Sequence, residues 1–361
     1  MKKTLIALAA VAATGAAFAQ STVALSGSLA LTAGNVAYGG APTRQDLGRA
    51  SGAITLAGTE DLGGGLKASF TVQQGMYGWT SAGGAASTSL NGNSLQNFGD
   101  RQMFATLSGG FGTVKIGRDL NGASNVVLGA GNVSGVKAIT GFDDSGKDAV
   151  YVGNIRSNSV AYATPTFGGF TAYVGVTPQN YAGLVAGSAS TTVTDGTNGI
   201  VAVATPAATS TKQNTPSAIG AVYANGPFTA AVDYTNYQES LGSTNAKVTS
   251  YAANYDLGVA KIGAIYQTSK SDTKANTNSY VLSASVPVSA ALSLGVGYGV
   301  RKATVNGSFS ANETKHTQLG ANYALSKRTT AYFAYSNKAV NGSTVSANDA
   351  KETGVGIAHT F

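Results

Sequence analysis

The sequence predicts an all-β fold: a 16-stranded antiparallel transmembrane β-barrel with short turns at one end and long loops at the other. Three observations carry this. Apolar residues alternate with small or polar ones at period two along most of the chain, the pattern of strands with two unlike faces. Charged residues make up only 11% of the chain, with 43% hydrophobic residues and 48 glycines, where a soluble domain carries about 25% charge. The connections also alternate between short and long, as they do when strands cross a membrane in antiparallel pairs.

The chain opens with a segment outside the barrel. Lys2 and Lys3 precede an apolar or small-residue run from Thr4 to Ala16, and Ala17-Phe18-Ala19 fits a signal-peptidase site. Residues 1–19 are therefore expected to be a signal peptide cleaved before Gln20, with the barrel over 20–361. The run is shorter than the roughly 20 residues of a spanning helix, and no later segment reaches that length either.

Strand signals begin at once. Val23, Leu25, Leu29 and Leu31 alternate with Ala24, Ser26, Ser28, Ala30 and Thr32. After a turn at 60–65, Leu66, Ala68, Phe70 and Val72 alternate with Lys67, Ser69, Thr71 and Gln73. Further turns fall at 108–112, 164–169, 224–227, 256–258, 286–290 and 325–328. Between them lie polar loops at about 34–49, 76–100, 118–156, 178–215, 238–246, 268–278, 302–314 and 338–350. Seven turns and eight loops join sixteen strands. Leu292, Leu294, Val296, Tyr298 and Val300 mark another strand, whose other face is the ladder Gly295, Gly297, Gly299. No helix follows that ladder, so it is not a dinucleotide-binding loop. The last strand places Val355, Ile357, His359 and Phe361 on one face. Barrels of sixteen strands leave an aqueous channel, whereas eight-stranded ones fill with side chains.

Several chemistries are excluded. There is no cysteine, hence no disulfide, thiolate nucleophile or thiolate metal site. No zinc-protease, nucleophile-elbow or Walker motif occurs, and alternation assigns the two histidines, His316 and His359, to opposite faces. Neither a cofactor nor a metal is expected. The +7 formal charge, +5 without the two leader lysines, comes from scattered residues, unlike the concentrated patch of a nucleic-acid binder.

Several segments resemble general porins of β-proteobacteria, the Neisseria–Burkholderia–Comamonas type. They are Gly58-Thr59-Glu60-Asp61-Leu62-Gly63-Gly64-Gly65-Leu66-Lys67-Ala68; Arg101-Gln102-Met103-Phe104 with Leu107-Ser108-Gly109-Gly110-Phe111-Gly112-Thr113-Val114-Lys115-Ile116-Gly117-Arg118; Asn158-Ser159-Val160-Ala161-Tyr162; and the ending Gly356-Ile357-Ala358-His359-Thr360-Phe361. The resemblance implies an outer-membrane homotrimer of barrels, periplasmic turns and extracellular loops, with the third loop folded into the lumen as a constriction. It implies passive diffusion of small hydrophilic solutes and ions. The implied partners are outer-membrane lipid, lipopolysaccharide and, through Phe361, the barrel-assembly machinery. It places Arg101, Arg118 and Arg156 on the wall or at loop bases, among the residues expected to line the constriction or lumen. Two positions depart from the pattern: Ala53 stands where the family usually carries a constriction arginine, and Thr360 where Lys or Arg is frequent.

A channel of this kind works through the field at its waist, where opposed charges orient solutes. The third loop offers Asp119, Asp143, Asp144 and Asp148 with Lys137, Lys147 and Arg156. Alternation turns Lys67, Lys115, Lys261, Arg301 and Asp233 toward the water-filled side. Tyr223, Tyr234, Tyr251, Tyr255, Tyr280, Tyr298, Tyr323 and Tyr335 fall on apolar faces, as an interfacial girdle requires. The positive charge leans selectivity toward anions. Two alternatives stay open: a solute-specific channel on the same barrel, which saturable flux would favour, and a secreted adhesive β-protein, which solubility without detergent would favour. Deleting Phe361 is expected to lower the amount of heat-modifiable barrel in outer-membrane fractions; undiminished bands on unheated gels would refute this reading of the terminus.

Overall fold

The computed structural model describes residues 22–39, 43–77, 99, 101–119, 122–136, 157–177, 217–238, 245–271, 275–305, 308–341 and 349–361. Sixteen antiparallel strands form one closed barrel, each paired with its sequence neighbours and the first with the last. They are β1 Thr22–Tyr38, β2 Arg44–Gly63, β3 Leu66–Tyr77, β4 Gln102–Gly109, β5 Gly112–Asp119, β6 Ser157–Ala163, β7 Phe170–Val176 and β8 Ser217–Asn225. The circuit continues with β9 Phe228–Gln238, β10 Asn245–Asp256, β11 Lys261–Ser271, β12 Ala275–Pro287, β13 Leu292–Val305, β14 Ser308–Ala324, β15 Thr329–Asn341 and β16 Ala350–Thr360. Among the described residues one helix, α1 Gly122–Gly131, follows β5.

All seven short turns lie where the sequence places them, and their chemistry is local. At the β2–β3 turn Gly63, Gly64 and Gly65 take φ of 84°, 62° and 81°, a region L side chains rarely adopt. The Gly63 N–H donates to Asp61 Oδ1 at 2.9 Å. Asp256 accepts from the Gly258 N–H in the same way at 2.9 Å. Ser289 Oγ accepts from the Leu292 N–H, and Ser326 Oγ from the Thr329 N–H.

Three expected loops are shorter than their polar sequences suggested. The β1–β2, β11–β12 and β13–β14 ladders run on to leave 39–43, 272–274 and 306–307 between strands. Past the apolar band a hairpin needs no lipid-facing hydrophobic residue, so strand and loop look alike there in sequence. The expected loops at 76–100 and 178–215 lie almost wholly outside the described residues, as do the leader residues 1–19. The helix α1 is a short glycine-flanked segment whose packing surface is the barrel itself.

The closing seam is fastened on both faces. β1 and β16 pair from Ser28–Thr360 to Tyr38–Ala350. Inside, Tyr332 reaches across Gly356 to share a 2.6 Å hydrogen bond with Thr32 Oγ1; a Cβ at Gly356 would collide with the tyrosine ring. Outside, Phe361 exchanges two 3.0 Å backbone hydrogen bonds with Gly27, and its ring occupies the space a Cβ at Gly27 would need. Gly27→Val should displace that ring and cost about 1–3 kcal/mol through overpacking, read as a lower temperature at which the barrel loses its heat-modifiable mobility.

Candidate pore and constriction

Strand register divides the wall into two faces. Leu25, Leu56, Val72 and Met103 stand opposite one another in successive strands and face outward. So do Tyr251, Tyr266 and Tyr280 farther round. Leu25, Met103 and these tyrosines are exposed, Leu56 and Val72 half-buried, and six of the eight expected girdle residues are exposed: Tyr234, Tyr251, Tyr255, Tyr280, Tyr298 and Tyr323. The inward face carries Ser26, Ser28, Thr71, Thr106, Ser250, Asn254, Gln267, Ser279, Ser283 and Gln318, by the same alternation.

The third loop enters the barrel. Val127, Leu128 and Ala130 of α1 pack on Ala231, Ala252, Ile265 and Val281, which project inward from β9 to β12. These wall positions break the apolar-out, polar-in rule, because this stretch buries both faces. Ile265 lies among Ile262, Ala264 and Tyr266, and Val281 between Tyr280 and Leu282. Such unbroken apolar runs were the available sequence signal for a docking site inside.

Hydrogen bonds then hold the loop backbone along the wall. Asn254 Nδ2 donates to the Ala130 carbonyl at 2.8 Å. Ser283 Oγ donates to the Gly131 carbonyl and accepts from the Val133 N–H, each at 3.0 Å. Asn322 Nδ2 donates to the Gly135 carbonyl at 3.1 Å. Val136 reaches the wall at Gly320 and is buried with Ala334. Gly295, from the glycine ladder, gives the backbone room: a Cβ there would strike the Ser134 carbonyl.

Lumen-side charge is distributed as follows. Lys67, exposed, stands opposite Asp61 and Ser108. Lys115 stands opposite Thr106, with its Nζ 5.0 Å from the centroid of the Phe104 ring. Lys261 pairs with Asp256, and Arg301 with Ser279 and Thr314. Asp233 accepts from Thr235 Oγ1 at 2.7 Å and from Tyr173 OH at 3.3 Å. Sequence reasoning assigned His316 to the lumen but passed over Lys338 and Glu352. His316 Nε2 lies 2.7 Å from Ser336 Oγ. Lys338 stands opposite His316, and Glu352 opposite Ser336. Lys338 was hidden by the expected loop at 338–350, since β15 runs on to Asn341.

One arginine expected at the constriction or lumen stands elsewhere: Arg118 pairs with Met103, on the parity of Ile116, which is 58% exposed on the outer face. Period-two geometry sets Arg118 off the lumen face. Arg101 immediately precedes β4; its backbone N–H donates to the Gln73 carbonyl at 3.2 Å and its Nη1 to the Gly52 carbonyl at 3.3 Å. Asp119 ends β5 opposite Ser157; Asp143, Asp144, Asp148, Lys137, Lys147 and Arg156 lie outside the described residues. Ala53 stands between Ser28 and Gly75 on the inward face and is buried.

A closed sixteen-stranded wall with a loop docked inside is matched by sequence as well. The model of the Gram-negative porin family aligns with residues 4–343. The chain belongs to that family. Outer membrane porin protein 32 of Delftia acidovorans is 33% identical over 353 residues, covering 92% of this chain and 88% of that protein. An anion-selective porin from Comamonas acidovorans superposes with a TM-score of 0.66 at 25% identity, covering 95% of this chain and all of the other. The trimer form of OmpT from Vibrio cholerae, at 11% identity and a TM-score of 0.63, covers 94% of this chain and 99% of its own, and shares the fold. This porin is an outer-membrane channel protein.

Substituting Ser283 and Asn254 together by alanine should free the loop near Gly131, at about 1–3 kcal/mol for each buried partner left unsatisfied. The expected result is greater open-channel current noise with the barrel's thermal stability retained; recordings as quiet as wild type would show that these bonds do not hold the constriction.

Proposed function

We propose that this porin passes small hydrophilic solutes and ions by passive diffusion with a weak preference for anions. It works as a homotrimer, without a catalytic role, after removal of residues 1–19. The observation that carries the anion preference is the unequal exposure of lumen charges. Asp233 and Glu352 are each 2% exposed, whereas Lys115, Arg301 and Lys338 on the same face are half-buried. Low on the wall Asp61 stands opposite Lys67 and Asp256 opposite Lys261, so those charges offset one another. Fixed positive charge in a narrow aqueous passage raises the local concentration of anions. The anion selectivity recorded for the Comamonas porin and the trimer form of OmpT support the reading. Third-loop carboxylates at Asp143 and Asp144, with Arg156 at the loop's end, complete the proposed waist.

Planar-bilayer recordings of purified protein in a salt gradient test conductance and sign together. A reversal potential favouring anions is expected, and a cation-favouring one would overturn the preference. Ala53→Arg should strengthen it. A unit charge about 4 Å from a passing ion is worth about 1 kcal/mol in water, roughly fivefold in the permeability ratio. An unchanged ratio would place position 53 away from the ion path.

A further inference from the structure

Among the described inward side chains of the barrel, Phe104 is the one phenylalanine. Alternation puts it on the water-filled face of β4, between Gln102 and Thr106. The two inward tyrosines of the same set bond through their hydroxyls inside the protein, Tyr332 with Thr32 and Tyr173 with Asp233. Phe104 has no polar end to engage, and it is half-buried. The Lys115 ammonium lies 5.0 Å from its ring centroid, within the range of a cation–π contact. Lys115 is half-buried too, and stands across from Thr106 and Ala161.

This pair stands on the open side of the lumen. Next to α1 the wall is covered: Asp233, Ser250, Gln267 and Ser279, in register across β9 to β12, are buried. From β4 to β8 the inward Gln102, Thr106, Ser159, Tyr173 and Ala218 are half-buried, like Phe104 and Lys115, so water and solute have access on this side. Gly117 faces Phe104 directly, at φ 136°. A Cβ there would strike the Met103 carbonyl and Phe104 itself. Glycine inside a strand often marks a place that something else approaches closely. One flank of the ring is therefore clear of side chain, floored by Gly117 and bounded by Ser159 and Ala161 on the next strand. No described inward side chain from β4 to β8 is acidic, so a carboxylate meets no like charge on that wall.

An apolar ring half in water, with a cation poised on it, matches a solute that has both a ring and an anion. We propose that Phe104 and Lys115 form a subsite in the channel for aromatic monocarboxylates. The solute's ring stacks on Phe104 over Gly117, at the usual centroid separation of about 4.5–7 Å. Lys115, on its flexible stem, exchanges the Phe104 ring for the carboxylate. A carboxylate bonded directly to the stacked ring lies within that reach. An aliphatic anion gains the charge alone, and a neutral ring gains the stacking alone. Such a subsite raises the flux of these solutes at low concentration and saturates at high. The proposal rests on the channel reading and adds a solute class to it.

The test uses the purified, assembled porin in planar bilayers, with benzoate added at constant ionic strength and chloride current recorded. Benzoate should lower the current saturably, because an occupied subsite stands in the chloride path. Acetate and benzyl alcohol each carry one of the two features, and should need roughly tenfold more for the same reduction. Phe104→Leu keeps an apolar side chain without the ring. It should raise the half-saturating benzoate concentration roughly fivefold, the scale of one aromatic pair. Phe104→Tyr, which keeps the ring, should stay near wild type, and Lys115→Gln should bring benzoate close to benzyl alcohol. Equal block by acetate would make the site one for any anion, and equal block by benzyl alcohol one for any ring; either overturns the proposal. So would a Phe104→Leu protein that saturates as wild type does. The comparison of the three solutes on wild type decides the matter even where a variant does not assemble. A wild type that conducts chloride but responds linearly to benzoate refutes the subsite alone, and one that carries no current refutes the channel reading.

Discussion

Backbone amides and carbonyls in hydrocarbon have no water to turn to, so each must find a partner within the chain or cost several kcal/mol. A sheet meets that demand only by having no edge. In this porin the requirement falls on the seam between β1 and β16, where strands far apart in sequence complete the ladder. Tyr332 with Thr32 on the inside and Phe361 with Gly27 on the outside fasten that seam. Every other pair joins sequence neighbours and can form locally. The closed ladder then fixes which way each side chain points, and so sorts residues into lipid-facing and water-facing sets without further specification.

The sorting also explains how a hollow wall accepts a plug. A uniformly polar lumen would offer α1 no surface on which to bury Val127 and Leu128. The inward Ala231, Ala252, Ile265 and Val281 form a small dry patch. Ser283, Asn254 and Asn322 beside it supply polar groups that meet the loop's carbonyls. Apolar contact brings the segment to the wall, and directional bonds fix its register. The field at the waist depends on both, since charges on a wandering loop would average out.

Much of this was legible in the sequence, for reasons that can be named. Turns such as Asp61–Gly65 and Asp256–Gly258 declare themselves because a carboxylate cap and positive-φ glycines permit little else. Lys67, Lys115, Lys261, Arg301 and Asp233 were sorted to the lumen side by parity alone, since one residue of slip would expose every apolar neighbour to water. Family resemblance served less well at Arg118, because it carries a residue across by position in a motif and ignores which way the pleat turns it. Lys338 and the upper ends of β13 and β14 were unreadable from polarity: beyond the membrane both faces of a hairpin meet water. The helix was unreadable because its partner is a wall assembled from strands more than a hundred residues downstream.

Pairing of β1 with β16 also means that the barrel has no first strand. Its ladder is a ring, and the point at which the polypeptide is interrupted is a property of the gene rather than of the architecture. Thr22 and Phe361 both lie at the short-turn end, so a bridge between the end strands would be one more short turn, and an opening in any long loop would leave every strand pair as it is. The fold would read the same from sixteen starting places.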